Sequence, residues 1–498
     1  MPKQSVGARA SSLSWSAHPF DDDKFHEECG VFGIWGTPDA AAHTVLGLHA
    51  LQHRGQEATG IVSFDSGQFN IHRALGLVGE SFDDPRVVQR LSGESAIGHN
   101  RYATTGDTIL RNVQPLVAEL ESGGLAMAHN GNLTNCGLLR QTLVRKGAIF
   151  QSTTDTEVIL HLVATSTHRG LVDRLTDALL QLEGAYSLVA LTNKKLIGVR
   201  DPAGVRPLVL GRLDKAWTIA SETCALDIIG AHFVRDIEPG EMVVIDEAGI
   251  RSIFPFVERP RRFCIFEFVY FARPDSVVNG EDVYQVRKRI GAELAKEAPL
   301  EADIVVPVPD SGTPAAIGYA EAIGLPFDLG IIRNHYVGRT FIEPTDQIRH
   351  LGVKLKHNAN RGILKGKRVV LVDDSVVRGT TSTKIVQMVR EAGATEVHLR
   401  IASPPTTHSC FYGVDTPSRD KLIAANLSND EIADLIGVDS LQYVSMDGLY
   451  RAVGLPNGRD VDNPTHCDAC FTGEYPIPLV DREDGRPSAQ LSLLADTA

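Results

Sequence analysis

Residues 369–382 read VVLVDDSVVRGTTS, an apolar run that passes through two acids into a turn of small residues. The aliphatic start is typical of a strand buried on both faces, as in a parallel α/β sheet. Asp373 and Asp374 follow at the carboxyl end of this strand, where open α/β sheets bind ligands. The turn offers backbone N–H groups and hydroxyls before a predicted helix over 384–392, whose dipole favours an anion. The stretch therefore predicts a phosphate site beside two acids that could hold ribose hydroxyls or Mg²⁺.

The alternative for this stretch is a solvated turn, but two acids after so apolar a strand are costly without a partner. The segment resembles the 5-phosphoribosyl 1-pyrophosphate (PRPP) motif of type I phosphoribosyltransferases. The resemblance implies that Asp373 and Asp374 bind the ribose hydroxyls and Mg²⁺. It also implies that the 5-phosphate is bound by the residues of the turn, Arg378, Gly379, Thr380, Thr381 and Ser382.

A second strand and turn has the same character at residues 305–313, VVPVPDSGT. Alone it could be an ordinary turn between a strand and a helix, but phosphoribosyltransferases hold pyrophosphate in a loop at this point. The resemblance makes Ser311 a candidate Mg²⁺ contact. The basic stretch that follows, 333–356, is either a solvated linker or a lid that closes over pyrophosphate and excludes water.

Composition limits the class of protein. The formal net charge of −13 argues against nucleic-acid binding, which needs clustered Lys and Arg. No stretch approaches the ~20 apolar residues of a membrane span. The 7 cysteines have irregular spacing and form no disulfide framework, which indicates a reducing, cytoplasmic compartment. Residues 1–20 are rich in serine and faintly resemble a transit peptide, but acids follow at once and no apolar signal core is present.

The 498 residues allow about two to four domains. The first half is rich in short predicted strands, whereas helices and strands alternate from residue 282 onward, which implies a parallel sheet. Prolines and a basic cluster near residues 253–262 mark the boundary. We expect four segments: a leader over 1–28, domains over 29–258 and 259–475, and a polar tail over 476–498.

Cys29 begins the first predicted strand and would be an ordinary buried cysteine in most chains. Cleavage of the leader between Glu28 and Cys29 would place a thiol and a free α-amine on one residue. Because an α-amine ordinarily has a pKa of about 7.7–8.0, it can act as the general base, as in N-terminal nucleophile enzymes. Removal of the leader would then be an activation step.

Three later segments fit glutamine chemistry, although each alone could be a turn or a helix cap. Arg101 suits a bidentate grip on an α-carboxylate. The amide of Asn130 and the N–H of Gly131 can form an oxyanion hole, and Asp155 supplies a carboxylate for an α-ammonium.

With Cys29, these segments resemble the glutaminase domain of class II glutamine amidotransferases. The resemblance implies that Cys29 is the nucleophile, that Asn130 and Gly131 stabilise the oxyanion, and that Arg101 and Asp155 bind glutamine. Residues 53–57, HRGQE, also match that family, with Arg54 structuring the site.

Both halves in this order resemble the glutamine PRPP amidotransferase family over about residues 29–475. The resemblance implies an N-terminal nucleophile (αββα) glutaminase domain followed by a type I phosphoribosyltransferase domain with a parallel sheet. It implies transfer of ammonia from glutamine to C1 of PRPP, giving phosphoribosylamine, glutamate and pyrophosphate, the first committed step of purine synthesis. It further implies feedback inhibition by purine nucleotides and a homotetramer.

The remaining cysteines divide into two groups. A CxxC at Cys467 and Cys470, with the isolated Cys264 and Cys410, could bind zinc or a [4Fe–4S] cluster, act in redox chemistry or lie in a core. One branch of the family carries both a cleaved leader and a four-cysteine [4Fe–4S] cluster at matching positions, which favours the cluster, in a structural role. The other two, Cys136 and Cys224, match no such pattern and are expected in the core.

Two other functions stay open from the sequence. One is a non-catalytic regulator that senses PRPP or nucleotides, which the complete set of Cys29, Arg101, Asn130 and Asp155 argues against. The other is a different class II amidotransferase, which the PRPP motif argues against.

Overall fold

A computed structural model describes residues 26–27, 29–102, 109–121, 123–334 and 357–483. Most of the leader, residues 103–106 of the segment that contains Arg101, most of the basic stretch 333–356 and the end of the tail lie outside these ranges. The described helices include none that is both long enough and apolar enough to span a membrane.

The first domain is a sandwich of two antiparallel sheets. The seven strands of the first sheet are, in spatial order, His232–Asp236, Val209–Leu213, Ala216–Ala220, Cys29–Trp35, Ser95–Arg101, Ala58–Asp65 and Gln68–Leu75. The six strands of the second are Gly249–Ile253, Met242–Asp246, Leu196–Arg200, Gly184–Thr192, Gly123–Leu133 and Leu116–Leu120.

Apolar side chains from both sheets, such as Val31 and Val189, form one core between them. Helix Ala40–Ala50 packs on the outer face of the first sheet, and helices Cys136–Arg145, Asp155–Thr165 and Leu171–Leu179 pack on that of the second. The expected αββα architecture is therefore confirmed.

The second domain is built on a four-stranded parallel sheet. Its strands are, in spatial order, Ile304–Pro307, Arg368–Asp373, Glu396–Ile401 and Ser440–Tyr443. One face is covered by helices Val283–Glu297, Thr313–Ile323 and Met446–Ala452, and the other by Thr380–Glu391 and Asn429–Ile436. Because both faces are covered, residues 369–372 are fully buried, as their unbroken apolar run predicts.

Short elements lie between these larger ones. The short α-helices are Val78–Ser81, Pro85–Arg90, Cys224–Asp227, Arg361–Leu364, Ala469–Thr472 and Val480–Glu483. Short 3₁₀ helices lie at Gln52–Arg54, Leu110–Asn112, Arg419–Lys421 and Ile423–Ala425, and a π-helix lies at Glu267–Phe271. The short strands are His26–Glu27, Phe263–Cys264, Val277–Val278, Glu281–Asp282, Ile331–Arg333, His357–Ala359, Val414–Asp415 and His466–Cys467.

Some predicted boundaries shift. The helix predicted over 384–392 begins at Thr380, so the small residues of the turn form the first helical turn. The parallel pairing of Phe263–Cys264 with His466–Cys467 ties the end of the chain to the domain boundary. Just before Cys29, His26–Glu27 pairs with Val414–Asp415 of the second domain.

Candidate functional site

Cys29 and Arg101 face the same side of the first sheet. Cys29 is the first residue of its strand and lies directly opposite Arg101 in the antiparallel ladder. Residues directly opposite each other in such a ladder carry their side chains on one face. Both are buried, with exposed fractions of 6% and 4%. The thiol and the guanidinium predicted for glutamine chemistry therefore share one buried face.

Asn130 and Gly131 lie near the end of strand Gly123–Leu133 in the second sheet. Gly131 has φ of +140°, and a Cβ there would lie 2.1 Å from the carbonyl oxygen of Ala185, so the position requires glycine. The side chain of Asn130 is fully buried, yet its amide nitrogen and oxygen find no hydrogen-bond partner within the described residues. Such an unused buried donor is what an oxyanion hole requires before substrate binds.

Asp155 begins helix Asp155–Thr165 beside the end of this strand. Its Oδ2 accepts a hydrogen bond from the N–H of Leu133 at 3.1 Å, and its Oδ1 lies 3.4 Å from Nδ1 of His129. Burial alone would raise the pKa of Asp155, but His129, Leu133 and Arg101 outweigh it and hold the pKa below its usual range. Asp155 is therefore ionised at neutral pH and lies within electrostatic reach of Arg101, as a site for an amino acid zwitterion requires.

The two sheets are joined at this point by His99 and His129. Nε2 of His99 lies 3.0 Å from the carbonyl oxygen of His129, which connects the strand of Arg101 to the strand of Asn130. Burial lowers the pKa of His99 to about 3, with Arg101 acting in the same direction, so His99 is neutral at physiological pH. The structure thus brings the predicted glutaminase residues to one end of the sandwich.

Arg54 is fully buried in a charge network that the sequence did not reveal. Its Nε donates to Glu222, and its Nη2 donates to Glu267 at 2.8 Å. Glu222 also contacts Nε2 of His53 at 2.6 Å and accepts from the Ser276 hydroxyl at 2.6 Å. Burial would raise the pKa of Glu222, but Arg54 and His53 hold it well below the usual range. No motif identifies Glu222 or Glu267, because Arg54 and His53 lie more than 160 residues away in the sequence.

The predicted phosphate site lies at the carboxyl edge of the parallel sheet. Asp373 is the last residue of its strand, and both it and Asp374 are buried, with exposed fractions of 2% and 1%. Asp373 accepts a hydrogen bond from the N–H of Asp374 at 2.9 Å, and Asp374 accepts one from the Ser375 hydroxyl at 2.7 Å.

Arg287, on helix Val283–Glu297, is a buried cation near these acids that the sequence did not single out. Its guanidinium donates to the carbonyls of Phe268 at 2.9 Å and Ala272 at 2.7 Å. Burial lowers the pKa of Arg287 to about 10, against the opposing influence of Asp374. Arg287 thus remains charged at neutral pH and offsets part of the charge of the buried acids.

The turn after the acids forms the N-terminus of a 12-residue helix. Gly379 precedes it with φ of +81°, the left-handed region that favours glycine. Thr380, Thr381 and Ser382 are then the first residues of the helix, whose dipole favours an anion at this end. Arg378 lies immediately before Gly379, so the five predicted phosphate residues are contiguous around one helix start.

The second predicted turn packs directly on the first. The N–H of Val308 donates to the carbonyl of Val372 at 2.8 Å. A Cβ on Gly312 would lie 2.4 Å from that same oxygen and 3.2 Å from Cα of Asp373. The loop that contains Ser311 is therefore adjacent to the paired acids, as the sequence predicts.

The four cysteines of the predicted cluster come together at the domain boundary. Cys410, Cys467 and Cys470 line one pocket with Phe266 and Tyr475. Cys264 is paired in register with Cys467. Burial raises the pKa of Cys264 to about 12; Arg206 opposes this shift, whereas Glu267 and the Cys410 thiol reinforce it. Burial also raises the pKa values of Cys467 and Cys470 well above the usual value.

Three of the four thiols line this pocket, and Cys264 lies beside it on the paired strand. Among the residues that the structure describes, no three His, Cys, Asp or Glu side chains lie close enough to hold a single metal ion. The other two cysteines lie elsewhere, as expected for core residues. Cys136 packs against the core of the second sheet, and Cys224 is buried in that of the first.

Comparison with known proteins agrees with both halves. A glutamine amidotransferase domain family matches residues 99–227, a range that includes Arg101, Asn130 and Asp155 but not Cys29. A phosphoribosyl transferase domain family matches residues 275–402.

Several relatives match this chain over most of its length and of theirs. The amidophosphoribosyltransferase of Rhizobium etli is 59% identical over 483 residues, covering 96% of this chain and 97% of that protein. The enzyme of Bacillus subtilis is 49% identical over 455 residues, covering 91% of this chain and 95% of that protein. A solved structure of glutamine PRPP amidotransferase from Bacillus subtilis, complexed with ADP and GMP, is 48% identical with a TM-score of 0.86, covering 91% of this chain and 98% of that one.

Proposed function

This chain belongs to the amidophosphoribosyltransferase family, and from that premise we propose how its residues perform the reaction. The enzyme transfers ammonia from glutamine to C1 of PRPP, giving 5-phosphoribosylamine, glutamate and pyrophosphate, in the first step of purine biosynthesis. The catalytic function is supported over that of a non-catalytic regulator by relatives that match both domains.

In the glutaminase half, the thiol of Cys29 attacks the carboxamide carbon of glutamine. Arg101 binds the α-carboxylate and Asp155 the α-ammonium, which fixes the side chain of the substrate against the thiol. Once the leader is cleaved between Glu28 and Cys29, the new α-amine accepts the thiol proton and returns it to the departing ammonia. Cleavage therefore creates the general base. Water then hydrolyses the glutamyl thioester on Cys29, which releases glutamate and restores the thiol.

The amide of Asn130 and the N–H of Gly131 stabilise the oxyanion that forms on the attacked carbonyl. This assignment rests on the fully buried side-chain amide of Asn130, whose nitrogen and oxygen make no hydrogen bond to a described residue. A preorganised donor that costs no rearrangement during the reaction is the largest single contribution in many acyl transfers.

In the PRPP half, Asp373 and Asp374 hold the ribose hydroxyls and the helix start from Arg378 to Ser382 holds the 5-phosphate. Mg²⁺ fits this edge because the acids offer hard oxygen ligands, and Ser311 lies in the adjacent loop. An ion held there would neutralise charge on the pyrophosphate leaving group. The chain itself orients C1 toward the incoming ammonia and buries the reacting centre.

Cys410, Cys467 and Cys470 line one pocket at the domain boundary, and Cys264 is paired in register with Cys467. Four thiolates suit an iron–sulfur cluster as well as zinc, and the resemblance to the family branch with a cluster favours the cluster. We infer that Cys264, Cys410, Cys467 and Cys470 hold the cluster, which ties residues 466–470 to the domain boundary. The irregular spacing of the seven cysteines, which forms no disulfide framework, also supports a reducing, cytoplasmic compartment.

The family resemblance and two similar solved structures bear on regulation and assembly. The Bacillus subtilis relative was solved with ADP and GMP. A second similar structure is described as the allosteric regulatory enzyme of purine biosynthesis. It is 49% identical with a TM-score of 0.86, covering 91% of this chain and 97% of that one. We propose that purine nucleotides inhibit this chain as well, and that it assembles as a homotetramer.

The oxyanion assignment is tested with Asn130→Ala. Loss of one donor is expected to lower kcat for glutamine hydrolysis about 10²–10³-fold. Ammonia-dependent synthesis of phosphoribosylamine should remain, because it bypasses the glutaminase site. An unchanged glutaminase kcat would remove Asn130 from the oxyanion hole.

A further inference from the structure

The strand that ends in the proposed oxyanion residues is held by a segment of the other domain. Residues 410–415, here called the bracing segment, run from Cys410 to Asp415 between the cysteine pocket and the glutaminase sandwich. Two of its residues contact the two positions that directly follow Asn130. One contact involves Gly413 and the other the carbonyl of Phe411.

The first contact is between two glycines. Gly413 has φ of +100°, and a Cβ on it would lie 2.8 Å from Cα and 3.1 Å from the carbonyl carbon of Gly131. Real Cβ atoms essentially never approach heavy atoms within 3.0 Å. The two backbones can approach this closely only because Gly413 has no side chain. Any side chain there would displace Gly131.

The second contact is a hydrogen bond at the next residue. The amide of Asn132 donates to the carbonyl of Phe411 at 2.9 Å. One residue further, the N–H of Leu133 donates to Asp155, the proposed ammonium ligand. The backbone from Gly131 to Leu133 is thereby fixed from both domains.

The bracing segment is itself rigidly held, so it can act as a fixed support. The carbonyl of Gly413 accepts from Nη2 of the buried Arg206 at 3.1 Å. The hydroxyl of Tyr412 donates to the carbonyl of Ile477 at 2.6 Å, and the N–H of Ile477 donates back at 3.0 Å. The N–H of Cys410 donates to Thr416 at 2.7 Å.

We propose that Gly413 is a positioning residue for glutamine hydrolysis: its bare backbone, fixed in the second domain, sets the position of the Gly131 N–H that stabilises the oxyanion. This inference rests on the proposed role of Gly131. It makes the oxyanion hole a product of both domains rather than of the glutaminase sandwich alone. The reaction at Cys29 therefore depends on a contact that touches no substrate.

The test is Gly413→Ala in the full-length enzyme. The added methyl group must push Gly131 by several tenths of an ångström, and a 1 Å misplacement can cost about 10²-fold in rate. We expect kcat for glutamine hydrolysis to fall about tenfold, with KM for glutamine within about twofold of the parent. Ammonia-dependent synthesis should also stay within about twofold, which serves as the check on folding.

Gly437→Ala is the matched control. Gly437 lies in the same domain with φ of +83°, but a Cβ there would meet nothing within 4 Å. The control variant also places alanine at a positive φ, but without the crowding, so both its activities should match the parent. Asn132→Asp is the second test variant, because a carboxylate oxygen would face the Phe411 carbonyl in place of a donor.

The outcomes separate cleanly. A selective loss of glutaminase kcat in Gly413→Ala, absent in Gly437→Ala, supports the proposal. Unchanged glutaminase kcat, or equal loss of both activities, overturns it. If Gly413→Ala does not yield folded protein, the same criteria applied to Asn132→Asp decide. Failure of the oxyanion assignment itself is recognised separately, because Asn130→Ala would then leave hydrolysis intact.

Discussion

Removal of the Glu222 carboxylate is expected to destabilise the protein strongly. Glu222 is fully buried, and its side chain accepts from Arg54, His53 and the Ser276 hydroxyl. In Glu222→Ala, the guanidinium of Arg54 keeps Glu267 but loses its other carboxylate in a site without water access. Breaking a buried ion pair from one side typically costs about 3–5 kcal/mol.

That cost is large enough to measure by thermal unfolding. For a domain of 150–250 residues, each kcal/mol shifts Tm by about 2–4 °C, so the expected decrease is about 6–20 °C. The folded-state pKa of Glu222 is lowered, so the stability it contributes is present above its unfolded pKa and is lost only as pH falls through the folded value. Melting curves at pH 7 therefore record the whole effect.

The control is an ion pair of similar length at the surface. Glu238 lies 2.8 Å from Arg261, and both side chains are largely exposed. Glu238→Ala should cost about 0–1 kcal/mol, because exposed pairs are screened by water. If Glu222→Ala lowers Tm no more than Glu238→Ala does, the buried network does not stabilise the fold as argued.

Two further predictions concern the second domain. Asp374→Asn should abolish both glutamine-dependent and ammonia-dependent synthesis, because both need PRPP, and turnover with ammonia would contradict its role. Cys467→Ser should lower the iron content and the visible iron–sulfur absorption of purified protein, whereas Cys136→Ser, outside the pocket, should not. A parent protein that contains zinc and no iron would refute the cluster.

The sequence predicts this fold well where a pattern is local. The aliphatic run at 369–372 predicts a doubly covered strand, and the paired acids with the small-residue turn predict the anion site at a helix start. The strand Ser440–Tyr443 escaped prediction, because SLQY carries too few apolar residues to signal burial by itself. Its place in the sheet is set by pairing with Glu396–Ile401.

The site residues likewise divide into those that a local motif identifies and those that only the fold brings together. Arg101, Asn130 and Asp155 are recognisable because each lies in a short motif beside a strand or helix end. Glu222 and Arg287 are not, since a buried charge is meaningful only with partners that the fold brings from distant positions. The contact of Gly413 with Gly131 is also invisible in the sequence, because it joins residues 282 positions apart.

The most direct test of the account is Cys29→Ser in the full-length enzyme, assayed with PRPP and either glutamine or ammonia. We expect glutamine-dependent formation of phosphoribosylamine to be lost while ammonia-dependent formation persists, because only the first requires the thiol. Retention of glutamine-dependent synthesis would show that Cys29 is not the nucleophile and would contradict the central claim.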